Sequence, residues 1–185
     1  MNEQAAQGRV IWITGLSGAG KTTLANATAE LIREQGIQPI LLDGDEIRDA
    51  IRDPHTGHDH KSRLANAWRI CRLARMLSNQ GHTLLVATMS LFREVHEWNR
   101  MHLPRYREIY IKSDVKLLCQ RDSKGLYARA TRGELKGLPG LDMDYDEPIS
   151  PDLILDNKEP FMNPSALALG ILNLTIDKKD KYLAV

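Results

Sequence analysis

The sequence predicts an α/β fold in which helices cover both faces of a central parallel sheet of about five strands, with a mobile lid over one edge. Short apolar, β-branched segments alternate with longer segments of helical periodicity. This alternation is typical of parallel strands joined by right-handed helical crossovers. Polar segments follow four of the predicted strands, and parallel sheets bind their ligands at that edge. We therefore expect one domain over residues 1–185, with its site at the carboxyl ends of the strands.

The first predicted strand, at residues 9–14, leads into a glycine-rich loop. The loop GLSGAGKT at 15–22 fits the pattern G, four residues, G-K-[ST], and a predicted helix at 21–35 follows it and is ended by Gly36. In such a strand–loop–helix unit the backbone N–H groups and the helix amino terminus face a triphosphate. Lys21 would neutralise the β- and γ-phosphates, and the Thr22 hydroxyl would bind Mg²⁺. The predicted triphosphate-binding residues of this loop are Gly15, Ser17, Gly18, Ala19, Gly20, Lys21, Thr22 and Thr23.

Apolar periodicity, together with the residues that start and end each segment, predicts the remaining elements. In chain order they are a strand at 39–42, helices at 46–51 and 61–80, a strand at 82–88, a helix at 91–103, a strand at 108–112, a helix at 115–121, a strand at 152–156 and a helix at 164–173. Gly81 ends the long helix, and Asp114 is placed to cap the helix that follows it. The segment at 122–151 is rich in Gly, Lys, Arg and Asp and has little periodicity. We therefore expect it to form the lid.

Composition and charge exclude several classes of protein. A hydrophobic content of 42% and a charged content of 26% are ordinary for a globular protein. The net charge of +1 argues against bulk electrostatic binding to nucleic acid or to a membrane. The amino terminus lacks an apolar signal segment. The two cysteines, Cys71 and Cys119, have neither metal nor redox spacing and are expected to be buried thiols. We expect a cytoplasmic protein.

The sequence also distinguishes between kinds of triphosphate-binding protein. A switch GTPase needs an Asn-Lys-x-Asp motif whose aspartate accepts hydrogen bonds from guanine. The nearest match here is NKEP at 157–160, and its proline cannot accept them. A large ATPase or helicase would be longer and would carry further motifs. A small kinase with its own acceptor pocket and lid fits best.

Further segments are more specific than the glycine-rich loop. They are LDGDEIR at 42–48, Arg63 and Asn66 on the long helix, SLFR at 90–93, RDSKGLYARATRGELKGLPGLD at 121–142 and YDEP at 145–148. On these segments the chain resembles the adenylyl-sulfate kinases, which phosphorylate the 3′-hydroxyl of adenosine 5′-phosphosulfate with ATP. The resemblance covers nearly the whole chain, from residue 11 to residue 157. It implies a P-loop kinase-type three-layer fold, ATP with Mg²⁺ and, by family analogy, a possible homodimer.

The resemblance implies roles for individual residues. Asp43 and Asp45 would hold Mg²⁺ through water and orient or deprotonate the attacking hydroxyl, since phosphoryl transfer needs an acidic group near the acceptor. Asp-Gly-Asp is also a common turn sequence. Arg121 and Lys124 would be lid cations that close over the ATP phosphates, although Arg121 could instead stabilise the end of a helix. The implied catalytic residues are Lys21, Asp43, Asp45 and Ser90, and the implied acceptor-binding residues are Arg48, His58, Arg63, Asn66, Ser90, Lys124 and Leu138.

The predicted acceptor pocket departs from the family pattern. Two phenylalanines usually enclose the acceptor's adenine, and their positions here hold His58 and Leu138. Base–aromatic stacking is worth about 1–3 kcal/mol per base, so losing both rings would weaken adenine binding on the order of 10²-fold. Two acceptors stay open: adenylyl sulfate, and another nucleotide such as cytidine diphosphoramidate, the substrate of relatives in surface-polysaccharide modification. His55, His58 and His60 fit no common zinc pattern.

Overall fold

The structure is a computed structural model that describes residues 8–52, 57, 59–122, 124–158 and 163–175. In the described residues, five parallel strands form a sheet in the order β2-β3-β1-β4-β5. The strands are β1 (Arg9–Gly15), β2 (Ile40–Asp43), β3 (Thr83–Ala87), β4 (Tyr106–Lys112) and β5 (Leu153–Asp156). The central strand, β1, is buried along its whole length. Its residues from Val10 to Ile13 are all apolar, because both faces of a parallel sheet are covered.

Helices cover both faces of the sheet, as predicted. They are α1 (Lys21–Glu34), α2 (Gly44–Ile51), α3 (His60–Asn79), α4 (Arg93–His102), α5 (Val115–Arg121), α6 (Leu126–Thr131) and α7 (Pro164–Thr175). Successive side chains of β1 point to opposite faces. Ile11 and Ile13 therefore pack into a core with α1 and α7. Val10 and Trp12 pack into a second core with α3 and α4. The predicted α/β fold is confirmed.

The predicted elements occur with shifts of one or two residues at most of their ends. The helix α5 has the predicted bounds, and Asp114 caps it by accepting a hydrogen bond from the Lys116 N–H at 2.8 Å. One expectation about the cysteines is wrong: Cys71 is buried, but Cys119 is exposed on α5. The exposed position follows from the amphipathic packing of α5, in which Leu118 is the buried residue. No helix in the described ranges is both long and apolar enough to cross a membrane.

The segment predicted as a lid contains a helix, α6, that the sequence did not predict. The Asp122 carboxylate caps it by accepting from the N–H groups of Tyr127 and Ala128 at 3.0 and 2.8 Å. The Tyr127 ring is buried, and its hydroxyl donates to the Ser17 carbonyl in the glycine-rich loop at 3.0 Å. The segment is therefore attached to the loop that it was predicted to cover. Its movement stays a prediction.

Candidate active site

The glycine-rich loop joins β1 to α1 and needs glycine for close packing. A Cβ atom on Gly15, whose φ is 148°, would lie 2.5 Å from the Ile111 carbonyl oxygen of β4. Real Cβ atoms do not approach an oxygen so closely, so only glycine allows the loop to leave the sheet here. Gly20 precedes α1, and no side chain caps that helix. The first N–H groups of α1 are therefore available to an anion.

Lys21 begins α1, and its ammonium group is folded into the loop. The Nζ atom donates a hydrogen bond to the Leu16 carbonyl oxygen at 2.7 Å. Burial of the ammonium group lowers the pKa of Lys21 to about 8; the nearby charge of Lys124 acts in the same direction, and Asp45 and Asp43 oppose it. A polyphosphate bound in the loop would add negative charge beside Lys21. The bound anion would therefore restore the pKa towards its ordinary value.

Asp43 ends β2 and serves as the N-cap of α2. One carboxylate oxygen accepts from the Asp45 N–H at 2.8 Å, and the other accepts from the Thr22 hydroxyl at 2.6 Å. Glycine is required at position 44, because a Cβ atom there would lie 2.7 Å from the Thr88 hydroxyl. The turn therefore brings the carboxylate of Asp43 against the first residues of α1. It leaves Asp45 on the first turn of α2.

Asp45 forms an ion pair with Lys124 of the predicted lid, with Oδ2 and Nζ 2.6 Å apart. Burial favours the neutral acid. The hydrogen bond and charge of Lys124 outweigh burial, with help from Lys21 and Arg48, and the pKa of Asp45 is lowered. The carboxylate is therefore held ionised in the ligand-free protein, and Lys124 connects the lid segment to α2.

A cavity of about 260 Å³ lies at the carboxyl edge of the sheet beside the glycine-rich loop. Burial lowers the pKa of Arg63 in its wall, and the charge of Arg48 adds to this effect. Asn66 is nearly fully buried, and the Ser90 hydroxyl lies 3.0 Å from that of Thr88. The predicted residues that line this cavity are Ser17, Gly18, Gly20, Lys21, Thr22, Thr23, Asp43, Asp45, Arg48, Arg63, Asn66, Ser90 and Lys124.

A second cavity, of about 290 Å³, lies next to the same loop and has mainly apolar walls from Ile111, Leu155 and Leu167. Arg121, at the end of α5, also lines it. The Asn157 side chain donates to the Ala19 carbonyl oxygen at 3.1 Å, which fixes this wall to the loop. Gly18, Gly20 and Thr23 line both cavities. The two cavities therefore both border the glycine-rich loop.

Leu138, which was predicted to cover the acceptor base, lines neither cavity. The Asp142 carboxylate accepts from the N–H groups of Gly137 and Leu138 at 2.8 and 2.6 Å. This tight turn directs the Leu138 side chain into the core, where it is 1% exposed. The neighbouring residues Pro139 and Met143 line the first cavity instead.

The sequence interpretation missed part of the wall of the first cavity. Phe92, which precedes α4, lines it, and the ring of His60 meets the ring of Phe92 edge-on at 5.2 Å. Met143, Asp144 and Tyr145 line it as well. Phe92 lies within the SLFR segment and Tyr145 within YDEP, so the family segments pointed to them without indicating a role. His58 and His55 lie outside the described residues.

Comparison with known proteins agrees with this geometry. The sequence profile of the family described as adenylylsulphate kinase matches residues 7–156. A cytidine diphosphoramidate kinase of Campylobacter jejuni is 39% identical over 148 residues, which are 80% of this chain and 85% of that protein. A probable adenylyl-sulfate kinase of Archaeoglobus fulgidus is 41% identical over 147 residues, 80% of this chain and 94% of that protein.

A solved structure shows the same relationship in three dimensions. The Mycobacterium tuberculosis APS kinase in complex with AMPPNP and APS aligns with a TM-score of 0.83 and 30% identity, over 91% of this chain and 98% of that one. The sequence match extends over the glycine-rich loop, the sheet and the lid segment. This chain belongs to the adenylyl-sulfate kinase family, a family of phosphotransferases that act on a hydroxyl group.

Proposed function

We propose that this chain is an ATP-dependent kinase that phosphorylates the 3′-hydroxyl of a nucleotide, with adenylyl sulfate as the first candidate acceptor. The observation that carries the proposal is the glycine-rich loop shared by two cavities. A donor nucleotide in the second cavity and an acceptor in the first would bring their reacting groups together at this loop. Positioning of this kind, together with electrostatic stabilisation, supplies almost all of the catalysis in phosphoryl transfer. The proposed partners are the two nucleotides and, by family analogy, a second copy of the chain.

The donor side fits ATP with Mg²⁺. The apolar walls of the second cavity suit a base, with Arg121 in the same lining, while the loop N–H groups and Lys21, which lines the first cavity beside the loop, suit the phosphates. The Thr22 hydroxyl and the Asp43 carboxylate, 2.6 Å apart, are hard oxygen ligands of the kind that Mg²⁺ prefers. Thr22 would bind the ion directly and Asp43 or Asp45 would hold its water. The ion would supply neutralising charge to the phosphates.

The acceptor side fits an anionic nucleotide. Arg48 and Arg63 would bind the acidic group of the acceptor, and Asn66 would orient its sugar. Asp45 lines the same cavity and would accept the proton of the attacking hydroxyl. The Lys124 ammonium would then move from Asp45 to the transferring phosphoryl group as negative charge develops there.

Cytidine diphosphoramidate is the second candidate acceptor, and one observation favours it. Among the described residues, the aromatic rings that line the acceptor cavity are those of Phe92 and Tyr145, and Leu138 is turned into the core. The two-ring enclosure that the family uses for adenine therefore lacks one member at position 138. A pyrimidine has a smaller face and needs less stacking area. A relative with this activity is 39% identical.

A screen of acceptors tests the proposed function. Purified protein with Mg²⁺ and ATP is assayed for ADP release with adenylyl sulfate, with cytidine diphosphoramidate, and with uridine and guanosine diphosphates as controls. We expect one of the first two to give a kcat/KM at least about tenfold above the controls, a difference of about 1.4 kcal/mol in transition-state binding. ADP release that is independent of every acceptor would contradict a kinase function.

The pKa of Lys21 predicts how ATP binding depends on pH. Above a pH of about 8 the ligand-free protein loses the Lys21 proton, and ATP must then bind with uptake of a proton. We expect the Kd for ATP to rise up to about tenfold per pH unit above that point, until the pKa of the complex is reached. Calorimetric titration between about pH 7 and pH 9.5 measures this slope. Lys21→Ala should bind weakly and without this slope, whereas a slope that persists in the variant would assign it to another group.

A further inference from the structure

The carboxyl-terminal part of the lid segment is attached to both ends of α4. At the start of α4, the Asp146 N–H donates to the Leu91 carbonyl oxygen at 3.2 Å, and the Arg93 N–H donates to Asp146 Oδ2 at 3.0 Å. At the other end, Arg100 donates to the carbonyl oxygen of Ser150 in the lid segment and to the carboxylate of Asp152, just after the segment, both at 2.8 Å. This part of the lid segment therefore lies along α4.

Asp146 caps a helix that is 53 residues away in sequence. Phe92 is the N-cap residue of α4 and cannot supply a side-chain acceptor, so α4 has no cap of its own. The first N–H groups of a helix need a partner, and a negative charge there also interacts favourably with the helix dipole. The Asp146 carboxylate meets both needs.

The Asp146 contact joins two parts of the wall of the acceptor cavity. On one side, Leu91 and Phe92 line the cavity immediately before α4. On the other, Met143, Asp144 and Tyr145 line it immediately before Asp146. Asp146 itself does not line the cavity. The two hydrogen bonds of Asp146 go to Leu91 and Arg93, the residues on either side of Phe92. The contact therefore fixes the distance between these two parts of the cavity wall.

We propose that Asp146 is a positioning residue for the acceptor, which holds the Met143–Tyr145 wall against the Leu91–Phe92 wall. The inference rests on the proposed function insofar as this cavity binds the acceptor. None of the residues joined by the Asp146 contact lines the second cavity. Removing the carboxylate should therefore act on the acceptor and spare the donor.

The chain offers matched variants for a test. Asp146→Ala removes the cap, whereas Asp146→Asn keeps a side-chain oxygen, and asparagine caps helices about as well as aspartate. Glu147→Gln is the control, because Glu147 is the next residue, pairs with Lys112 at 3.3 Å and lines neither cavity. We expect Asp146→Ala to raise the acceptor KM by roughly 5- to 30-fold, the effect of losing one cap. The KM for ATP and kcat should stay within about threefold, and Asp146→Asn and Glu147→Gln should behave like the wild type.

Hydrogen exchange gives a readout that does not depend on turnover. We expect amide exchange at the start of α4 to be faster in Asp146→Ala and to return to the wild-type rate in Asp146→Asn. Faster exchange with an unchanged acceptor KM would overturn the proposal and leave Asp146 with a cap role only. An equal rise in both KM values, or a rise in Glu147→Gln, would also overturn it. A wild-type protein that uses no acceptor would refute the proposed function, and the exchange rates would still decide whether Asp146 joins the segment to α4.

Discussion

Asp45→Asn is expected to lower kcat by about 10²- to 10⁴-fold and to change the Kd for ATP by less than about threefold. The Asp45 carboxylate lines the acceptor cavity and does not line the second cavity. Asparagine has nearly the same shape and can still accept the hydrogen bond from Lys124, but it cannot accept a proton at neutral pH. The substitution therefore removes the proposed base and leaves Lys21, Thr22 and Asp43 in place for ATP and Mg²⁺.

Asp49→Asn is the matched control for this prediction. Asp49 lies one turn further along α2, is exposed and pairs only weakly with Arg52 at 3.7 Å. Its substitution removes the same charge from the same helix outside the cavity, so kcat should stay within about twofold. Single-turnover phosphate transfer measures the chemical step, and calorimetry measures ATP binding. Normal turnover by Asp45→Asn would remove this carboxylate from the chemistry, and loss of ATP binding would assign it to the donor site.

The fold was predictable because its signals are local. The glycine-rich loop, the buried strand before it and the helix after it form one contiguous unit. The cap of α5 depends on Asp114 and the N–H of Lys116, two residues further on. Successive apolar side chains of β1 face two different cores, as the two-residue period of a β-strand predicts. Such features need no knowledge of distant parts of the chain.

The parts that the sequence analysis missed depend on contacts between distant residues. The helix α6 has only six residues, too few for a periodic pattern, and the buried ring of Tyr127 reaches the loop at Ser17. Leu138 occupies a family position in the acceptor pocket, but the turn made by Asp142 directs it into the core. Asp146 caps a helix far away in sequence. Residue patterns within one segment cannot reveal such pairings.

The start of β4 is a further example. The predicted strand began at Glu108. The strand begins at Tyr106, and Glu108 is 3% exposed within it. The burial is tolerated because the carboxylate accepts from the Tyr106 hydroxyl at 2.8 Å and lies 2.6 Å from His96 Nδ1. The burial of such a polar side chain depends on its hydrogen-bond partners, and only folding brings these partners together.

Lys124→Met is expected to lower kcat by about 10²- to 10³-fold, the usual effect of removing one group that stabilises charge in a transition state. Methionine keeps the length of the side chain and removes its charge. The ammonium of Lys124 is 2.6 Å from the Asp45 carboxylate, and both residues line the acceptor cavity. The control is Lys136→Met, since Lys136 is an exposed lysine of the same segment that does not line the cavity.

The same variant should shift the pH dependence of kcat/KM, which reports the ionisation of the free enzyme. Burial raises the pKa of Asp45, and the hydrogen bond and charge of Lys124 are the largest effects that lower it. Without Lys124 the pKa of Asp45 should rise, so the carboxylate would be protonated at a higher pH and the acid limb of the profile would move upward. Lys136→Met should leave that limb in place. If the acid limb does not move in Lys124→Met, the limb reports the ionisation of a group other than Asp45. If the limb moves in both variants, the shift is caused by the net charge of the lid.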